Sequence, residues 1–315
     1  MIKSKFSKVT PFYHRSNGKI LFTGEYLVMH GAQALALPVR YGQTLEAKQG
    51  SKPGILIWKA SDSEGLWFEA ELNCSDWSIL ETSSMEKAQF LIRILQAARI
   101  LNPLFLKNSR GIEVSTMADF PVSWGLGTSS TLIHNIATWA GIDSFSLHQK
   151  VSKGSGYDIA CAQEPCPLLY KKISATDRLI IPVRFKKDFL DKLYFVYSGE
   201  KISTEMHLSD FVSVGEDIQH EVEAMDKLTQ KILCSTSLDE FMLHLSAHEK
   251  LVSRFLKTPP IAESRFTGFD GTIKSLGAWG GDFLLAATQQ DRQYVERYFE
   301  QFSLSVIIPF SKMIL

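Results

Sequence analysis

The run PVSWGLGTSSTLIHNIATWA, from Pro121 to Ala140, joins a glycine-rich loop directly to an amphipathic helix. Gly125 and Gly127 open backbone conformations closed to other residues, so successive N–H groups can converge on one point. Thr128, Ser129 and Ser130 then bring hydroxyls to the start of a helix, where unpaired N–H groups and the helix dipole favour an anion. The chemistry on offer is phosphate binding. Leu132, Ile133, Ile136, Ala137 and Ala140 recur at helical spacing and give the helix a face to bury. Taken alone, the same run also reads as an ordinary helix after a turn.

Three further segments carry polar residues among glycines. In GKILFTGEYLVMHGAQALALP, Gly18 to Pro38, Gly18 and Gly24 bracket a short strand bearing Lys19, and Gly31 turns the chain into a second apolar strand. In KGSGYDIACA, Lys153 to Ala162, Gly154 and Gly156 flank Ser155, and Asp158 falls just inside a predicted helix. KSLGAWGGDFLLAA, Lys274 to Ala287, is a second glycine-rich turn running into an apolar strand. Each has a plain reading: a solvated lysine, an acid favouring a helix dipole, a tight turn.

The elements that must hold these segments follow from periodicity. Lys19 to Leu72 reads mainly as antiparallel strands punctuated by glycine and proline. Met85 to Leu101 is a helix, with Leu91, Ile94, Leu95, Ala98 and Leu101 on one face, and Gly111 to Met117 alternates as a strand. Beyond Pro165 short strands return, then a helix from about Ser209 to Leu233, another over Leu238 to Phe255, a third over Asp291 to Phe302 and a closing strand in LSVIIPF. His244 and His248 lie four apart on the second of these; with no third ligand beside them they read as residues of an exposed or boundary face.

The chain of 315 residues has room for two domains, and its 34 basic residues balance 34 acidic ones, so no global field points to nucleic acid or a membrane. Four scattered cysteines, Cys74, Cys161, Cys166 and Cys234, form neither a disulfide framework nor paired zinc knuckles, and read as buried free thiols of a reducing cytoplasm. The basic N-terminus lacks the apolar stretch of a secretory signal, and no run reaches the length of a membrane span.

In this order, the four segments resemble the signature of the GHMP kinases, the superfamily of galactokinase, homoserine kinase, mevalonate kinase and phosphomevalonate kinase. Gly18 to Val28 is similar to the GK-x-x-L-x-GE-x-x-V pattern, GLGTSS to the phosphate loop GLGSS, and GAWGGD to the third motif. The resemblance implies an α+β fold of two domains: an N-terminal ATP-binding domain over 1–170, like the second domain of ribosomal protein S5, and a C-terminal ferredoxin-like domain over 171–315. It implies ATP, held by Trp124, Gly125, Leu126, Gly127, Thr128, Ser129 and Ser130, and Mg²⁺ near the Ser130 hydroxyl; Trp124 alternatively fills core. Asp158 aligns with the catalytic aspartate and Lys19 with the lysine beside it. Glu25, His30, Lys153, Ser155, Gly156, Gly277 and Ala278 are the expected substrate contacts, for a small-molecule acid of the mevalonate pathway. Phosphomevalonate is slightly favoured over mevalonate, and a non-catalytic homologue is the rival. The interval from Ser130 to Asp158 is short, its Asp143 suits a helix cap, and no second metal-binding carboxylate is assigned. The resemblance further implies a cytoplasmic monomer or homodimer without nucleic-acid or membrane partners.

Overall fold

The computed structural model describes residues 11–107, 111–199, 218–277 and 281–315. In chain order they form β1 (Phe12–Leu21), a 3₁₀ turn (Leu27–His30), β2 (Ala34–Gln49), β3 (Ile55–Asp62), β4 (Gly65–Asn73), β5 (Ile79–Thr82), α1 (Met85–Leu101) and β6 (Ile112–Ala118). Next come α2 (Thr128–Ala140), α3 (Ser144–Val151), α4 (Tyr157–Gln163), β7 (Leu168–Lys172), β8 (Arg178–Pro182) and β9 (Leu193–Tyr197). The chain closes with α5 (Gln219–Cys234), α6 (Leu238–Leu256), α7 (Ile261–Ser264), β10 (Thr272–Leu276), β11 (Phe283–Ala287), α8 (Arg292–Glu300), β12 (Ile307–Pro309) and α9 (Phe310–Met313). The class is α+β, as the sequence implies.

Packing divides the chain into two compact units that do not follow a single cut near residue 170. The first comprises the described parts of Met1–Ser16, Gly42–Pro121 and Thr128–Lys153; the second those of Asn17–Tyr41, Val122–Gly127 and Gly154–Leu315. The residues expected to hold one site are thus shared out: Thr128, Ser129, Ser130 and Lys153 belong to the first unit, the remaining described ones to the second.

In the first unit the strands run β5-β4-β3-β6 and on to the second half of β2. β3 and β6 are parallel, with Trp58 opposite Val114, and the other pairs are antiparallel. Alternation decides the faces: Leu56, Trp58 and Ala60 on β3 are buried while Lys59 is exposed. Ser84 caps α1, whose Leu91, Ile94, Leu95 and Ala98 are buried as the spacing predicts. α2 buries Ile133, Ile136, Ala137 and Ala140, and Leu132 is half-buried at the edge of a cavity. Asp143 does cap α3, its carboxylate accepting the Ser146 N–H at 2.7 Å.

The second unit contains a four-stranded antiparallel sheet, β10-β11-β9-β12, in which β11 is buried at every position. β7 pairs with the first half of β2 and with β8. Tyr26 and Leu27 of the 3₁₀ turn pack on Val222, Met225, Leu251 and Val252 of α5 and α6, which anchors the Gly24–His30 turn. β1 begins at Phe12 and ends at Leu21, so the stretch expected to continue as strand through Met29 is instead this turn, with Tyr26 at φ +62°. All four cysteines are free; Cys74 and Cys161 are buried as expected, whereas Cys166 is half-buried and Cys234 exposed. The first part of the helix expected from Ser209 lies outside the described residues. Among those residues no helix is long and apolar enough to cross a membrane.

Candidate functional site

Lys19 and the glycine loop meet because β1 and the loop are bonded at both backbone and side chain. The Lys19 N–H donates to the Leu126 carbonyl at 2.9 Å and its Nζ to the Gly125 carbonyl at 3.0 Å. Gly127, at φ +94°, lies against the lysine stem: a Cβ there would stand 2.9 Å from Lys19 Cγ. Gly125, at φ +69°, is covered on its other side by the Asp282 carboxylate, which would collide with any Cβ at that position. Both glycines are therefore demanded twice, by backbone angle and by close approach.

α4 delivers the acid. Gly156, at φ +92°, precedes Tyr157 and Asp158 in the first turn, and Asp158 Oδ1 accepts the Ile159 N–H at 2.9 Å. The Ser155 carbonyl is held by the Tyr170 hydroxyl. Burial alone would favour a neutral Lys19, but Tyr157 and the Asp282 and Asp158 carboxylates outweigh it and raise the lysine pKa, so the group is an ammonium. Tyr157, hydrogen-bonded to Lys19, has its own pKa pushed up by burial. The Cys161 thiol behind it is raised by burial and by Asp158. Tyr157 and Asp282 are the functional neighbours that sequence reasoning did not assign.

Trp124 is half-buried among aromatic rings of the second unit. Its ring lies edge-on to Tyr41 at 5.4 Å and to Phe283 at 5.6 Å, and Tyr197 beside it donates to the Ser123 carbonyl at 3.1 Å. The aromatic group pins the loop's entry.

Glu25 does not lie with Lys19. It is 3% exposed, and one carboxylate oxygen is taken up by the Lys274 ammonium while the other lies 3.2 Å from His248 Nε2 without a hydrogen bond among the described residues. Lys274, itself fully buried, also donates to the Ser275 carbonyl at 2.8 Å. Burial pushes the Glu25 pKa up, but Lys274 and His248 overcome it and hold the carboxyl below its ordinary value. His248 is not on an exposed or boundary face of α6 but wholly buried; its Nε2 accepts the Gly24 N–H at 3.3 Å, and burial together with Lys274 keeps the ring neutral. Next to it Glu249 accepts the Ser275 N–H at 3.1 Å, and burial pushes its pKa up to about 8. His244 bonds Ser235 instead, at 3.1 Å. Of the other expected substrate contacts, His30 is exposed, Ser155 and Gly156 lead into α4, Gly277 at φ +75° lies against the Asp282 carboxylate, and Ala278 lies outside the described residues.

In the first unit Thr128 and Ser129 line a cavity of about 110 Å³. Its walls are apolar, with Trp58, Phe68, Phe90 and Leu132 among them, and Lys87 lies over the Trp67 ring at 4.6 Å. Trp67 Nε1 and Thr116 Oγ1, both buried there, have no hydrogen-bond partner among the described residues. Ser130 is 3% exposed and Lys153 is exposed. Among the described residues no three His, Cys, Asp or Glu side chains gather as a metal site. A Mg²⁺ ion is commonly bound through one or two carboxylates with water and substrate phosphates, so the Ser130 hydroxyl alone would supply only one added oxygen to it.

No protein-family model and no curated protein matches this chain. Solved structures do. The phosphomevalonate kinase of Streptococcus pneumoniae, in complex with phosphomevalonate and AMPPNP, is 12% identical with a TM-score of 0.70, over 94% of this chain and 98% of that one. The mevalonate kinase of Methanococcus jannaschii is 14% identical with a TM-score of 0.67, over 96% and 98%. The galactokinase of Lactococcus lactis, complexed with galactose, is 14% identical with a TM-score of 0.64, over 96% and 95%. Over nearly its whole length this chain takes the fold of the GHMP kinases.

Proposed function

We propose that the chain is an ATP-dependent small-molecule kinase, and that its acceptor is an acid of the mevalonate pathway, phosphomevalonate slightly ahead of mevalonate. The observation that carries the reading is the meeting of Lys19, Asp158 and the Gly125–Gly127 loop within one compact unit. Phosphoryl transfer asks a protein mainly to position reactants and to offset charge. Lys19, fixed to the loop at both ends, places a permanent positive charge where a transferred phosphoryl group would lie. Asp158, next to it, is placed to receive the proton of an acceptor hydroxyl while the acceptor oxygen bonds phosphorus and ADP departs. An acceptor that is already a phosphomonoester, with its second pKa near about 6, arrives largely ionised and needs Asp158 chiefly for orientation.

Ser130 is the residue assigned to Mg²⁺, which when bound would neutralise phosphate charge. Glu25, sealed with Lys274, is reassigned from substrate contact to support of the turn that follows β1.

The test is direct. The purified chain is incubated with ATP, Mg²⁺ and, separately, phosphomevalonate, mevalonate, homoserine and galactose, and ADP release is followed. Turnover with phosphomevalonate or mevalonate is expected; release with galactose or homoserine alone moves the acceptor, and no release with any of them returns the chain to a non-catalytic nucleotide binder.

A further inference from the structure

We infer that Asp282 is a positioning residue of the transfer site: it holds the Lys19 ammonium against the phosphate loop so that Asp158 is left available to the acceptor. The inference rests on the kinase reading above. Three observations place Asp282 in that role. It stands at φ +53°, a left-handed angle unusual for a residue with a Cβ, just before the fully buried β11. Its carbonyl is tied down by the Ser198 N–H at 2.9 Å, and the next residue, Phe283, packs on Trp124. Its carboxylate is thereby pressed onto the face of Gly125, whose carbonyl oxygen is the acceptor for Lys19 Nζ. Lysine and aspartate thus grip one glycine.

Charge through the reaction explains why two carboxylates are needed. Burial favours the neutral amine, so Lys19 keeps its proton only while negative charge stands near it. Were Asp158 its sole partner, the proton arriving from an acceptor hydroxyl would cancel that charge when the ammonium is most needed by the phosphoryl group. Asp282, packed on the glycine whose carbonyl accepts the Lys19 Nζ hydrogen bond, is a second carboxylate beside the ammonium and lies outside the proton's path to Asp158. Where the acceptor is a hydroxyl, its proton goes to Asp158, the acceptor oxygen gains phosphorus, the bond to ADP breaks, and Lys19 stays charged throughout; an ionised phosphomonoester brings no proton, and Asp158 then only orients it.

Asp282→Asn and Asp282→Gly both tolerate the left-handed angle and remove the charge. Competitive labelling of the intact, ligand-free protein with acetic anhydride across pH, read by mass spectrometry at Lys19, reports where that amine titrates. Both variants should lower the titration by about one to three pH units, with the thermal midpoint retained. On the acceptor found above, kcat should fall by about 100-fold while KM for ATP holds. An unmoved Lys19 titration in both variants overturns the inference, as does a moved titration with kcat intact. The labelling needs no substrate, so failure of the kinase reading shows separately, as absent ADP release from the unaltered chain.

Discussion

The second unit carries two clusters that each set one lysine among carboxyl groups, half-buried around Lys19 and sealed around Lys274, and they are disposed to opposite ends. Around Lys19, two carboxylates and a tyrosine surround one ammonium beside a loop whose glycines let that lysine and Asp282 approach the backbone closely. Around Lys274, two carboxyls and an imidazole are closed off from solvent, and the surplus is resolved by neutralisation: His248 is pushed down and Glu249 up, leaving one ion pair between Lys274 and Glu25. A buried charge that stays charged against a loop can act on a ligand; one matched inside the protein can only hold elements together. The sealed cluster joins the Gly24–Glu25 turn, α6 and β10, which are far apart in sequence.

Substitution should separate the two by what is lost. Lys19→Met and Asp158→Asn are each expected to cut kcat by about 10²- to 10⁴-fold, with denaturant midpoints close to the unaltered chain; steady-state kinetics beside urea unfolding reads both. Lys274→Met should do the reverse in kind. It strands the Glu25 carboxylate in the interior, where breaking a buried pair costs about 3–5 kcal/mol, and urea unfolding should show that loss even without nucleotide. If Lys274→Met were stable and merely slow, the sealed cluster would belong to the chemistry after all.

The gentlest probe is pH. The Glu249 carboxyl titrates near 8 when folded and near its ordinary value of 4.5 when unfolded, so between those values the folded protein holds a proton that the unfolded chain has released. Its contribution is fully present below about pH 4.5 and declines as pH rises through about 8. Glu249→Gln should flatten that part of the stability profile, measured by urea titration at a series of pH values, and leave the Lys19 cluster's kinetics alone.

The two clusters also differ in how far the sequence discloses them. Gly125 and Gly127 are legible because a phosphate loop is a local pattern, and Lys19 and Asp158 because their neighbours resemble known motifs. Asp143 is legible as a cap from one residue and the helix after it. Asp282 stood inside a quoted motif, yet nothing local reveals that its carboxylate falls on Gly125, more than a hundred residues upstream. The motif around Glu25 suggests a substrate contact, since a motif shows a residue's company in sequence and not its partner in space, here Lys274. The pairing of His248 with that glutamate had no signal at all, and spacing on α6 suggested only His244. The interleaved units escaped for the same reason: composition changes little where the chain passes from one to the other.

Two of the free thiols offer a clock for that interleaving. Cys74 is buried in the first unit and Cys161 in the second, the latter behind Tyr157 and Asp158, while Cys234 is exposed. An alkylating reagent therefore meets Cys234 at once and must wait for each unit to open before reaching the others. The relative labelling rates of Cys74 and Cys161 measure whether the two units breathe together or apart, and a nucleotide that slows one of them alone names the unit it grips.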